Sequence, residues 1–178
     1  MSVLDEVRYV EVLENPTLEP CPSCGALLGG RAGCQAVFDE LSARAWTSPS
    51  RGRAHTLVVD TYSMQHPADY CRSAKSYAAH LTALCCGIEH TGNQQLYWAI
   101  ARWLDGPGRL DKPAVIDCRG SMTIADIRAP RDERDYDALV RRWAESVWAM
   151  LAPQQPLARQ WLDSVRTYLS RGTGATNR

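Results

Sequence analysis

The sequence predicts a mainly α fold: a bundle of about five to six helices behind a cysteine-rich loop near the N-terminus. Three observations lead there. Apolar residues recur at helical spacing over most of the chain, glycine and proline punctuate the periodic stretches, and three of the seven cysteines crowd into positions 21–34. A length of 178 residues fits one domain over 1–178, and 45% apolar content is enough to bury a sizeable core.

The elements follow in order. Ser2–Pro20 alternates weakly at Val10 and Val12 and reads as a short strand or an N-terminal arm. Cys21–Cys34 (CPSCGALLGGRAGC) reads as a compact loop, and about 35–170 as the helical bundle. Val37, Phe38, Leu41 and Ala45 mark a first helix over Gln35–Trp46, with Thr47–Gly52 a loop after it. His55–His66 is read as a helix ended by Pro67, with His55, Val59, Tyr62 and His66 on one face. Asp69 is the expected N-cap of a helix from Tyr70 to about Glu89, whose apolar side carries Tyr77, Leu81 and Leu84 with His80 at its edge. The next helix, from about Asn93 to Leu104, stops at the turn Asp105–Gly108. Asp111–Gly120 is an irregular connection, and Thr123 with Asp126 forms a capping-box pattern opening a short helix that Pro130 closes. Tyr136, Val140, Trp143, Val147 and Leu151 mark a long helix broken by Pro153. Leu157, Trp161, Val165 and Tyr168 mark the last, before a disordered tail over 171–178.

Composition narrows the function classes. Twenty basic residues balance twenty acidic ones, which argues against nucleic-acid or anionic-membrane partners. No stretch approaches the roughly 18 apolar residues of a membrane helix. Residues 1–20 lack the apolar run of a signal peptide, so a cytoplasmic location is expected. An odd number of cysteines, clustered rather than spread, points to a reducing compartment and metal ligation rather than a disulfide framework.

Cys21-Pro22-Ser23-Cys24-Gly25 carries the sharpest chemistry. A Cys-x-x-Cys turn brings two thiolates to one tetrahedral ion, and Gly25 suits the positive φ such a knuckle requires. Cys34 is near enough to fold back as a third donor, so 21–34 is read as a zinc-binding loop with Zn²⁺ as the cofactor. A redox Cys-x-x-Cys would open a helix after a buried strand, whereas a glycine-rich loop follows here. An iron–sulfur cluster needs a fourth nearby thiolate, and buried apolar cysteines are the bland alternative. The fourth donor stays open among His55, His66, Cys71 and His80, with His66 and His80 preferred because their helical faces should point inward.

Other features weigh less. Asp60 lies well around its helix from His66, so the two do not easily share an ion from one helix; it can orient a histidine or pair with an arginine, but reads more simply as a surface carboxylate. Arg44, Arg51 and Arg53 read as a solvated face, Trp143 and Trp161 as core, and Trp148 as lining a second contact or groove. Ser73-Ala74-Lys75-Ser76 places Arg72 three residues before the lysine, so no hydroxyl occupies a nucleophile's place. No phosphate-binding glycine loop or dinucleotide fingerprint is present.

The ordered blocks CPSCGA, VDTYSMQHP, YCRSAKSYAAHLTALCCGIE, RWLDGP, TIADI and WAESVWA resemble an uncharacterised bacterial family of unknown function, from about Cys21 to Trp161. The resemblance implies that Cys21, Cys24, Cys34, Asp60, Gln65, His66, His80, Trp103 and Trp148 are the family's marked positions. It brings no activity with it. Some relatives carry histidines where Gln154-Gln155 stands here, which removes any catalytic role of those histidines from this chain.

Two functions are therefore expected. One is a structural zinc site in a small regulatory or interaction protein, its partner an unidentified protein or small molecule. The other is a metal-dependent hydrolase or transferase, in which His66 and His80, with Asp60, hold an ion carrying an activated water. Thiolate-rich sites are usually closed, and that favours the first.

Overall fold

The computed structural model of the chain describes residues 19–91, 93–117 and 119–173. Within them lie seven α-helices: α1 (Gly30–Arg44), α2 (Pro49–Gln65), α3 (Pro67–Tyr70), α4 (Ala74–Glu89), α5 (Gln94–Asp105), α6 (Glu133–Met150) and α7 (Gln155–Thr173). Among the described residues the only β pairing is an isolated bridge between Pro20 and Leu27. The fold is mainly helical as expected, with seven helices instead of five or six. The arm expected over Ser2–Pro20 falls outside the described residues up to Leu18, as does the tail from Gly174.

Local chemistry explains each shifted boundary. Ser48-Pro49 opens α2 inside the expected loop: the Ser48 hydroxyl accepts from the Arg51 N–H at 3.2 Å, and proline fits the first helical position. Gly29 and Gly30, at φ 83° and 71°, turn the chain into α1 early, so Cys34 sits on a helix rather than in the loop. The long helix expected from Tyr70 is split. Ser73, not Asp69, caps α4 through a reciprocal box with Ser76, each side chain accepting from the other's N–H at 3.0 Å. Thr123 and Asp126 do form their box, on a 3-10 turn over Ile124–Ile127. Helix α7 continues past Gly172 to Thr173.

Helix α2 runs through the middle, packing on α4 and α6, while α7 covers α4 and α5. One apolar cluster joins the N-terminal cysteines to Tyr62, Leu81, Trp143 and Leu162. Trp148 also belongs to that cluster, buried rather than lining a groove. No helix among the described residues is long and apolar enough to cross a membrane.

The second half of α2 has no solvent face. Every residue from Asp60 to His66 is buried, five of them polar or ionisable besides Tyr62. Burying such groups is costly unless they are paired. Gln65 is fully used: its amide donates to the carbonyls of Arg119 (2.7 Å) and Met122 (2.9 Å) and accepts from the Trp143 indole at 3.0 Å. These bonds fasten the irregular connection before α6 to the bundle. Arg51 is likewise not a solvated loop residue: it pairs with Glu133 at 3.1 Å and lies 4.6 Å above the Tyr136 ring.

Candidate metal centre

The loop before α1 is closed by its own backbone. The Gly25 N–H donates to the Cys21 carbonyl and the Cys21 N–H to the Ala26 carbonyl, both at 2.8 Å. Gly25 takes φ 81°, the left-handed turn that carries Cys24 back beside Cys21. Gly33, in the first turn of α1, packs directly on the loop. A Cβ there would stand 1.6 Å from the Leu28 carbonyl oxygen, so the helix can approach only because that atom is missing. Cys34 is the next residue. The close approach is what brings its sulfur to the loop.

Cys21, Cys24, Cys34 and His66 converge, with one donor atom from each lying within 4.8 Å of all the others. The Cys21 and Cys34 sulfurs are each 3.5 Å from His66 Nε2, and the Cys24 and Cys34 sulfurs are 3.7 Å apart. All four residues are at most 3% exposed. His66 ends α2, and its Nδ1 lies 2.8 Å from the Tyr62 carbonyl oxygen. A carbonyl can only accept, so Nδ1 carries the proton and the Nε2 lone pair faces the sulfurs. The hydrogen bond shared with Cys34, together with burial, pushes the Cys24 thiol up to about 12, and the same bond holds Cys34 below the ordinary thiol range against its own burial.

A second ring of contacts orients these donors. The Tyr62 ring stacks between His66 and Phe38, with centroids 4.0 and 4.1 Å away, and its hydroxyl reaches the Cys34 sulfur at 3.7 Å. Arg31 donates to that hydroxyl at 2.6 Å and to Asp69 at 2.8 Å, bringing a positive charge toward a thiolate-rich group. Neither Arg31 nor this use of Tyr62 was anticipated from sequence. The available signals were the four-residue spacing of Tyr62 and His66 and the single turn between Arg31 and Cys34.

The other expected donors lie elsewhere. His80 does not join the cluster: its Nδ1 is 2.9 Å from the Asp60 carboxylate, across the α2–α4 seam. His55 packs toward Trp46, with ring centroids 6.4 Å apart, and the Cys71 sulfur faces the Ser63 carbonyl at 3.6 Å. Asp60 is 5% exposed, not a surface carboxylate, because its half of α2 has neighbours all round. Orienting a histidine is the role it takes.

That burial has a pH consequence. Desolvation raises the Asp60 carboxyl above its ordinary value, against the opposing hydrogen bond and charge of His80. A carboxyl raised by folding contributes stability at acid pH and loses it as pH rises through its folded pKa. Asp60→Asn keeps an acceptor for the imidazole but removes the charge. Relative to the parent, this variant is expected to gain stability as pH rises from about 4 to about 7, read from urea titrations at the two ends of that range. An equal difference at both pH values would contradict the assignment.

The fold and this group define a helical protein with a buried Cys₃His donor set that could hold a metal ion. The chain belongs to a family of unknown function, DUF5946, whose model matches residues 19–152. No curated protein and no solved structure matches it.

Proposed function

We propose that Cys21, Cys24, Cys34 and His66 hold one zinc ion as a closed structural site that clips the N-terminal loop and α1 to the end of α2. The observation that carries this reading is the spacing of the donors. Tetrahedral zinc with bonds of about 2.3 Å to sulfur and about 2.0 Å to nitrogen sets neighbouring donors about 3.5–3.8 Å apart. The contacts of 3.5, 3.5 and 3.7 Å fit that tetrahedron. Three thiolates and an imidazole suit zinc, and near-complete burial leaves no route for a substrate to an open coordination position. With His80 engaged by Asp60, nothing favours a catalytic water shared between His66 and His80. The site therefore supports a small cytoplasmic regulatory or interaction protein whose zinc holds its shape.

Cobalt substitution tests closure. Strong sulfur-to-cobalt charge-transfer bands, unchanged by azide or cyanide, are expected. Bands that shift on adding either anion would mean an exchangeable position and would overturn the structural reading.

A further inference from the structure

Away from the cysteines, the ends of α4 and α5 meet α2 and α6 around a cleft of about 380 Å³. Its apolar lining includes Leu57 and Val140, with Gly87 beside Leu57. A Cβ on Gly87 would stand 2.8 Å from both Leu57 Cδ1 and the Tyr97 hydroxyl oxygen, so the space depends on that glycine. The volume falls in the range of small-molecule sites, which pair an apolar body with a few placed polar groups.

The Tyr97 hydroxyl and the Arg53 guanidinium have no hydrogen-bond or ion-pair partner among the described residues. Arg141, by contrast, is spent: it donates to the carbonyls of Gly87 (2.9 Å) and Ile88 (2.8 Å), to Thr91 Oγ1 (3.0 Å) and to Glu145 (2.7 Å). It builds the wall and caps α4. Burial keeps the Tyr97 phenol protonated well beyond neutral pH, so it acts as a donor. Asp137 also lines the cleft, so among the described residues one uncommitted cation is accompanied by one carboxylate, a balance that suits a single negative charge better than two. In the groove beside Trp103, by comparison, Lys75 already donates to the Leu104 and Gly106 carbonyls at 2.6 and 2.9 Å.

We propose that this cleft binds a small monocarboxylate with an apolar body, its carboxylate held by Arg53 and the Tyr97 hydroxyl and its body resting on Leu57 and Val140. The guanidinium fork matches a carboxylate edge, and the apolar lining takes the remainder of the molecule.

Calorimetry on the full chain tests this, with benzoate, benzyl alcohol and inorganic phosphate as probes. Saturable one-to-one benzoate binding is expected, at least about tenfold tighter than benzyl alcohol, with phosphate weaker than benzoate. Arg53→Gln, an exposed change that leaves the core intact, should weaken benzoate about tenfold and leave benzyl alcohol unchanged. Tyr97→Phe should weaken benzoate several-fold while preserving the fold. Absence of saturable benzoate binding, equal affinity for the alcohol, tighter binding of phosphate, or an Arg53→Gln variant that binds like the parent would each overturn the proposal. None of these residues touches the cysteine cluster, so metal content is an independent readout.

Discussion

Cys34→Ser is expected to abolish tight metal binding and to lower the melting temperature by roughly 10 °C. Structural zinc in isolated zinc-finger peptides contributes apparent free energies of about 10–16 kcal/mol, and those peptides are unfolded without it. Here the bundle core remains, so the loss is confined to the clip between loop, α1 and α2. A cost of at least about 3 kcal/mol is expected from removing a buried ligand, and for 150–250 residues each kcal/mol moves the midpoint by about 2–4 °C. Cys34 is the most informative position because its sulfur is within hydrogen-bonding reach of three side chains: Cys24, His66 and Tyr62. Cys71→Ser is the control. That cysteine is equally buried but faces the Ser63 carbonyl, so its serine variant should keep the ion. Scanning calorimetry of both variants checks the difference.

Gly33→Ala is expected to be nearly as damaging, for a reason unconnected to ligand chemistry. Its Cβ would overlap the Leu28 carbonyl oxygen at 1.6 Å, and both atoms are anchored to backbone. The first turn of α1 must then move off the loop, taking Cys34 with it. Overpacking of this kind costs about 3 kcal/mol or more. Gly25→Ala provides the contrast: it meets nothing within 4 Å, and its cost is only the strain of positive φ, about 1–2 kcal/mol. Urea denaturation should separate the two, with weaker metal retention only in the Gly33 variant. Equal, mild effects would contradict the packing described.

How much of this was legible in sequence depends on how local each interaction is. Cys21 and Cys24 were readable because a Cys-x-x-Cys turn with a following glycine closes on itself, needing no knowledge of the rest of the fold. Cys34 was grouped with them, and it does join the cluster, but its place on a helix was missed, because a glycine-rich start resembles a loop until the Gly29–Gly30 turn is seen. His66 and His80 could not be separated. Both sit at the inward edge of a predicted helix, and only the packing of the loop on the end of α2 brings one to the sulfurs while Asp60 takes the other. Asp60 itself was misplaced on the surface because periodicity assumes a helix with a wet side. Helix α2 has none beyond Val59, and Gln65 there is satisfied by Arg119 and Trp143, far off in the chain. The loop over Thr47–Gly52 was a local misreading, since Ser48-Pro49 is a helix-start pattern that sequence alone could have supplied.

The most direct test is the amount of zinc carried by the purified, reduced chain, measured by elemental analysis beside Cys34→Ser. One equivalent per chain in the parent and none in the variant is the predicted outcome. A parent without stoichiometric zinc, or a variant that keeps it, would contradict the account at its centre.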